Sequence, residues 1–486
     1  MEEVRCRYFS IGIIIVAIAA AFLFVILYYS VLGPGWDLIV HMLNAETMLK
    51  HSFYMCMLNG CGVYNGTQTF YYSSYFEPER APMSSLAIIP LYIILGKNCL
   101  LAYELIVLAA YLSSIYYLAK SFKVRQVFAY ISLATPYFAF FLSFNGAELL
   151  SLVFISFGLS LLYKRSTYSG IFFGLAFVSK YTTIIFAPML LLLMKPRKIL
   201  ASSGLAFIPS LAWILFQALF MHSPLASYSL SFILAKYNSS FLGLNLASLA
   251  IVAAYPLLLI SLALAFNMEA IKGLIAQLCS GFKKNLWLIL RLAKARAETT
   301  SSIYLLLIIC AFLILAIADY LFLSNTEALV QARLGYTLSF ALGLVALFLL
   351  SLEEAQKTCL LIKFSSISFL FLLMLYGVYF ATSSSHDLSY SVKNPAVVQA
   401  KSELYSLGYE NCRIISNNWV YLLYVGVDAF PQYYPNSTNL LYPIVVFYNS
   451  SALTSPASIV NLSSSNPIFK SRNFSILLPE NYKCYK

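Results

Sequence analysis

Residues 11–37 read IGIIIVAIAAAFLFVILYYSVLGPGWD, an apolar run over 11–31 that stops at Gly33-Pro34-Gly35-Trp36-Asp37. At about 1.5 Å per residue, a helix of that length crosses roughly 30 Å of hydrocarbon. A helix also satisfies its own backbone there. No small-residue cleavage site follows, so the run reads as an uncleaved anchor rather than a signal peptide. The rest of the chain agrees: 486 residues, 61% hydrophobic, 10% charged and a mean hydropathy of +0.80, well outside the range of soluble domains. Further apolar runs lie at 99–119, 127–143, 149–163, 168–178, 182–194, 199–221, 241–266, 302–323, 334–352 and 364–381. The expected fold is an all-α polytopic membrane protein of about eleven spans.

Lys and Arg orient such a chain, because short cytoplasmic loops retain them. With the N-terminus inside, the inner loops carry Arg5, Arg7, Lys120, Lys123, Arg125, Lys164, Arg165, Lys195, Arg197, Lys198, the basic stretch Lys272–Arg296, Lys357 and Lys363, which is 18 of the 31 basic residues. The outer loops hold Lys50, Arg80, Lys97, Lys180, Lys236 and Arg333, and the remaining seven fall in the tail. The sequons at Asn65, Asn238, Asn436, Asn449, Asn461 and Asn473 all fall outside on this map. The expectation is a multi-pass protein of the cell membrane (the endoplasmic reticulum membrane in a eukaryote), N-terminus cytoplasmic and tail outside. The net charge of +12 then reflects contact with anionic membrane lipids, not a nucleic-acid partner.

Two segments refine the map. Residues 83–95 are apolar but short, and counting them as a span would move Lys120–Arg125 outside, so they read as a juxtamembrane or re-entrant helix within an outer loop over 32–98. Residues 166–194 carry basic clusters at both ends and read as a hairpin of two short helices with Ser179-Lys180-Tyr181 at its tip, which sinks Lys180 below the outer surface. The domain division is 1–381 in the membrane and 382–486 outside. In the tail, Asn394–Leu407 reads as a helix ended by Gly408, and Cys412–Ser416, Val420–Val425 and Ile444–Tyr448 as strands, giving a small α/β domain. Cys412/Cys484 and Cys56/Cys61 are candidates for disulfides.

The outer face collects Asp37, His41, Glu46, Glu77, Glu79, Arg80, Glu148, Lys180, His222, Glu327 and Arg333. Ionisable groups at that depth are costly unless paired or hydrated, and mark function by default. Glu46, Glu79 and Lys236 read as solvating charges; Asp37, Glu148, Lys180 and Arg333, at membrane boundaries, read as functional. Glu104 and Asp319 lie within spans, as structural groups or at the border of a cavity. No phosphate-binding glycine loop, dinucleotide fingerprint or His-Glu-x-x-His pair occurs.

Asp37, the Tyr75-Phe76-Glu77…Arg80-Ala81-Pro82 stretch, Asn145-Gly146-Ala147-Glu148, Gly174–Lys180 and Gln331-Ala332-Arg333-Leu334 occur in an order and sidedness that resembles the GT-C glycosyltransferases, in the protein O-mannosyltransferase and lipid A aminoarabinose transferase branch. The resemblance covers about residues 1–380. It implies transfer of a hexosyl or pentosyl group from a polyprenyl-phosphate carrier to a lipid, glycan or protein acceptor on the outer face, with inversion. It matches Asp37 to the acid that deprotonates or orients the acceptor, Glu148 to the second-loop acid, and Arg80 and Arg333 to cations that bind the leaving phosphate, with Lys180 facing the same cavity. His41, Glu77 and His222 are further substrate-binding candidates. Asp37 and Glu148 either hold Mg²⁺ or Mn²⁺ through oxygen ligands or divide base and positioning roles. The chain departs from the pattern in its lone first-loop acid, in Ala81-Pro82 where relatives have two prolines, and in Leu334 where an aromatic is common. A transporter or flippase for polyprenyl-linked sugars is the alternative, and a non-catalytic assembly subunit the third reading.

Overall fold

The structure, a computed structural model, describes residues 33–49, 80–135, 146–194, 196–220, 246–268, 301–322, 335–352, 393–412, 414–416, 418–430, 443–448 and 466–478, scattered positions over 12–30, Tyr137, Phe138, Leu225, Lys272, Ser368, Cys484, and the backbone of 61–64 and 67–70. The described helices are α1 (Ile18–Leu27), α2 (Trp36–Leu49), α3 (Pro82–Leu95), α4 (Cys99–Phe122), α5 (Gln126–Leu133), α6 (Gly146–Tyr163), α7 (Ser169–Ser179), α8 (Pro188–Leu193), α9 (Pro196–Phe220), α10 (Leu246–Phe266), α11 (Ser301–Phe322) and α12 (Tyr336–Ser351). An antiparallel hairpin, β1 (Cys61–Tyr64) with β2 (Thr67–Phe70), precedes α3. Among the described residues, Pro82–Phe122, Arg197–Leu219, Leu246–Ala265 and Tyr304–Leu321 are long and apolar enough to cross a membrane. The expected span over 364–381 lies almost wholly outside the described residues.

Punctuation in the sequence explains where these helices stop. Pro82 opens α3, where its missing N–H has no partner to lose. Gly96 closes it at φ +56, and a 3₁₀ turn over Gly96–Asn98 leads into α4. At 14 residues, α3 is about 21 Å long, short of a roughly 30 Å core. It packs against α2, α4, α6 and α7.

Two expected helices are broken. The helix over 127–143 stops at Leu133, with Ala134 already out of helical geometry two residues before Pro136, which disfavours helix in the residue it follows. The helix over 182–194 is a 3₁₀ segment, Tyr181–Phe186, followed by α8, with Pro188 as the first residue of the new helix. The 166–194 segment is nonetheless a hairpin, and its tip is Lys180, in extended geometry at the end of α7. Behind that tip α7 lies hard against α9. A Cβ on Gly170 would overlap the carbonyl of Ser202, and one on Gly174 that of Ala206. Small residues four apart on both helices permit this approach, the usual device of membrane helix pairs.

α11 is held to the hairpin by Phe312, stacked on Phe186 at 4.4 Å and edge-on to Phe340 of α12 at 5.9 Å. Side chains that bond to the backbone of neighbouring helices add direction: the Tyr255 hydroxyl donates to the Ile131 carbonyl at 3.0 Å, and Tyr304 to those of Leu162 and Leu193.

The tail forms α13 (Pro395–Ser406), β3 (Ile414–Ser416), α14 (Trp419–Tyr424), β4 (Ala429–Phe430), β5 (Ile444–Phe447), β6 (Asn466–Lys470) and β7 (Phe474–Leu478), in a five-stranded sheet of order β4-β3-β5-β7-β6. Asn394 caps α13 by accepting from the Ala396 amide at 2.8 Å. Gly408, at φ +78, ends the helix with Gly408 and Tyr409 amides donating to the Tyr405 and Leu404 carbonyls. The expected strand over Val420–Val425 is instead helix α14. β3 and β4 run parallel, so the chain must cross between them, and a helix does so. Cys412 and Cys484 are disulfide-bonded. Of the other pair, Cys56 lies outside the described residues and only the backbone of Cys61 is described.

The domain sits on the Asp37 end of the bundle. Trp36 packs edge-on against Trp419 and Tyr421 at 6.0 and 5.3 Å, and Lys97 donates to the Tyr424 carbonyl at 3.0 Å. Lys393 donates to the Ser30 carbonyl.

Candidate functional site

Asp37 falls in the first turn of α2, where the helix dipole favours a carboxylate. One turn on, at the i+4 spacing that shares a face, comes His41. Both are buried, Asp37 at 8% exposure and His41 at 3%. Their partners come from the start of α3. Arg80, two residues before Pro82, sets its Nη2 2.8 Å from Asp37 Oδ1, and Ser85 Oγ lies 3.0 Å from His41 Nδ1. The entry to α3 and its first turn thus supply an ion-pair partner, Arg80, and a hydrogen-bond partner, Ser85, to α2.

A second pair is built the same way from antiparallel neighbours. Glu148 lies in the first turn of α6 and Lys180 at the C-terminal end of α7, each at the helix end whose dipole suits its charge. Lys180 Nζ donates to Glu148 Oε1 at 2.6 Å. The Glu148 side chain is 3% exposed and that of Lys180 19%, so the ammonium keeps a route to solvent or ligand.

His41 joins the pairs: its imidazole lies within electrostatic reach of Arg80, Asp37, Glu148 and Lys180. Burial first, then the Arg80 charge, push its pKa down to about 4, against the opposing pull of Asp37 and Glu148. At neutral pH this is an uncharged hydrogen-bonding ring between two ion pairs.

The polar cluster continues inward. Asp319 of α11, 3% exposed, accepts from Thr337 Oγ1 of α12 at 2.8 Å and lies within electrostatic reach of Lys180. The buried Tyr336 hydroxyl sits beside Ser151 and Thr182, close to Asp319 and Glu148, without a hydrogen bond of normal geometry to any of them. Glu104 is buried beside Tyr103 and Tyr29.

Of the residues singled out from sequence, the structure brings together Asp37, His41, Arg80, Glu148 and Lys180. Glu77, His222 and Arg333 lie outside the described residues. Tyr336, Thr337 and Ser85 carried no signal of their own in the sequence. Tyr336 and Thr337 do follow Arg333 within four residues, and Ser85 follows Arg80 within five. The opposite end of the α6–α7 hairpin is purely basic: Lys164 lies over the Tyr117 ring, Arg165 over Tyr304, and Lys198 donates to the Arg165 carbonyl.

The described donors do not by themselves form a metal centre. No group of three or more His, Cys, Asp or Glu able to hold an ion occurs among the described residues. Asp37 and Glu148 are each engaged by a cation that a metal would have to displace.

No family model matches the chain, and no curated protein does. Among solved structures it is similar to the crystal structure of ArnT from Cupriavidus metallidurans bound to undecaprenyl phosphate, with 12% sequence identity, 98% of this chain and 99% of that chain covered, and a TM-score of 0.45. Overlap at that level decides neither fold nor activity, which rest on the residues above.

Proposed function

We infer that the chain is an integral membrane glycosyltransferase that moves a sugar from a polyprenyl-phosphate carrier to an acceptor on the outer face, with inversion. The observation that carries this reading is the pair of carboxylate–cation contacts, Asp37–Arg80 and Glu148–Lys180, gathered around His41 at one end of an apolar bundle. Such a site holds the two things the reaction needs, an acid–base group and anion-binding cations.

In the proposed step the acceptor hydroxyl oxygen bonds to the anomeric carbon as the bond from that carbon to the phosphate oxygen breaks. The acceptor proton passes to Asp37, and the polyprenyl phosphate leaves with the bonding electron pair. A single displacement inverts the centre. Arg80, Lys180 and Arg333 stabilise the charge gathering on the phosphate, the term expected to be largest for such a leaving group. Lys180 has three donor hydrogens and gives one to Glu148, so it can also reach a phosphate oxygen. Glu148 aims it. His41, uncharged, is placed to hydrogen-bond the acceptor or sugar. Mg²⁺ or Mn²⁺ between Asp37 and Glu148 is a further proposal that chelation would test, and no step is routed through it.

The structure is consistent with the sidedness assigned from charge, and one line of support does not use charge. The basic Lys164/Arg165/Lys198 end of the hairpin fits the cytoplasmic face, and the Cys412–Cys484 disulfide of the domain docked at the Asp37 end fits an oxidising exterior. One observation favours the flippase alternative: α7 has 11 residues, which puts Lys180 about 16 Å above its cytoplasmic start, near mid-depth.

The deciding experiment uses the purified protein in lipid nanodiscs with radiolabelled polyprenyl-phosphate sugars and a panel of hydroxyl acceptors. Transfer should occur and fall by roughly 10²-fold or more in Asp37→Asn, with donor binding changed far less. Wild-type turnover in Asp37→Asn removes the base assignment, and movement of the lipid across a bilayer without transfer favours the flippase.

A further inference from the structure

Three contacts of the tail domain fall on the segments that frame Asp37. Lys393 donates to the Ser30 carbonyl just past α1, and Lys97, in the turn that follows α3, donates to the Tyr424 carbonyl at 3.0 Å. Between them Trp36, the first residue of α2, meets Trp419 and Tyr421 of α14 at 6.0 and 5.3 Å. Both contacts are edge-to-face, with the ring planes 85° apart, an arrangement that holds direction as well as distance. Trp419 and Tyr421 are each 3% exposed, and Lys401 ties the end of α14 to α13 by donating to the Val425 carbonyl at 2.6 Å.

The start of α2 needs such a hold. The chain enters it through Gly33-Pro34-Gly35, where the Gly33 amide donates to the Tyr29 carbonyl at φ +77 and the Gly35 carbonyl accepts from Ile39 at 3.1 Å. A joint with glycine on either side of its proline does little to fix the direction of the helix that follows. Trp36 is the first large side chain after it, and Asp37 comes next. The consequence rests on the glycosyl-transfer reading, in which Asp37 takes the acceptor proton and must lie within hydrogen-bond reach of it. We propose that Trp419 and Tyr421 are positioning residues of the tail domain, acting through Trp36 to hold Asp37 in place for transfer.

The test uses the full-length protein in nanodiscs with the polyprenyl-phosphate sugar and acceptor that support transfer in the panel above. Trp36→Leu, Trp419→Leu and Tyr421→Leu should each lower kcat on the order of tenfold, since a misplacement of about 1 Å can lower a rate roughly 10²-fold, with the donor KM changed less than about threefold. Trp419→Phe keeps a ring and should restore most of kcat. Phe447→Leu removes a tail aromatic that packs on Phe474 within the sheet, and should leave kcat unchanged. If the tail rings act through Trp36, the Trp36→Leu/Trp419→Leu protein turns over no more slowly than Trp36→Leu alone. Trp36→Leu leaves the tail's own core untouched, and reads the same path with Tyr421→Leu if Trp419→Leu does not fold. An unchanged kcat in the Leu variants, an equal fall in Phe447→Leu, or losses that multiply in the double variant overturns the proposal. The contact has its own readout. The chain has four tryptophans, so in protein labelled with 5-fluorotryptophan the Trp36 resonance is identified by its loss in Trp36→Leu and should shift in Tyr421→Leu; a Trp36 signal indifferent to Tyr421 also overturns the proposal. If the wild-type protein transfers no sugar, the glycosyl-transfer reading fails and the positioning role with it, whereas the shift still reports the contact.

Discussion

The Glu148–Lys180 pair makes a signed, quantitative prediction. Lys180→Met removes the ammonium and leaves a carboxylate whose side chain is 3% exposed without its cation. Breaking a buried pair from one side typically costs about 3–5 kcal/mol. Glu148→Gln is the milder change, because the Lys180 side chain is 19% exposed on a flexible stem and can turn toward water, so about 1–3 kcal/mol is expected. The double variant leaves neither charge behind and should lie within about 1 kcal/mol of Glu148→Gln alone. The expected coupling is therefore about 3–5 kcal/mol, to within about 1 kcal/mol, with Lys180→Met the worst of the three proteins. Reversible unfolding by sodium dodecyl sulfate in mixed micelles, followed by tryptophan fluorescence, gives all three values. Strict additivity, or Glu148→Gln costing more than Lys180→Met, would show that the two side chains do not compensate each other in the folded protein.

His41 is more acidic folded than unfolded, its pKa pushed from 6.5 to about 4, so the unfolded chain binds more protons between those values and stability falls as pH drops from about 6.5 toward 4. The full loss is about 3 kcal/mol at 1.36 kcal/mol per pH unit; His41→Asn should flatten that part of the wild-type stability curve, and an unchanged slope refutes the assignment. Gly174→Val drives a side chain into the Ala206 carbonyl and should cost about 1–3 kcal/mol or more, whereas Gly204→Ala, with open space around its Cβ position, should be neutral or stabilising in the same assay. Thiols introduced near Asn65 and Asn436 should label from outside intact cells and one near Lys284 should not; labelling at Lys284 would invert the topology.

Much of the architecture was legible because membrane helices announce themselves by length and loops by charge. Seven of the expected runs, 99–119, 149–163, 168–178, 199–221, 241–266, 302–323 and 334–352, coincide with described helices, while 127–143 and 182–194 are broken. Where the reading failed, a local signal competed with a tertiary one. Trp419–Tyr424 has an apolar, partly β-branched sequence that suits a strand equally well. Its helical state follows from the parallel pairing of β3 with β4, which no short window contains. Thr135-Pro136 did carry the break in the 127–143 run, but hydrophobicity alone outweighed it. Asp37, Arg80, Glu148 and Lys180 were visible singly as charges at membrane boundaries. Their pairing was not, because Asp37 meets Arg80 across 43 positions and Glu148 meets Lys180 across 32.

That pairing changes what the site can do. Three cations in one cavity would bind any phosphate and hold it. Cations already matched to carboxylates bind an anion by exchange, with each new contact to phosphate made at the expense of one to Asp37 or Glu148. Arg80 is the informative case, since its 2.8 Å contact occupies the oxygen of the group proposed to take the acceptor proton. Arrival of a phosphodiester that draws Arg80 away would uncover Asp37 at the moment a donor is in place, so that the base is exposed only when there is a leaving group for it to serve. Arg80→Ala separates this exchange from simple binding. Loss of donor affinity is common to both, but exchange further requires that the variant hydrolyse bound donor with water more readily than wild type, since its Asp37 is no longer covered. A variant with weaker binding and no rise in hydrolysis per bound donor would leave Arg80 as a phosphate ligand alone.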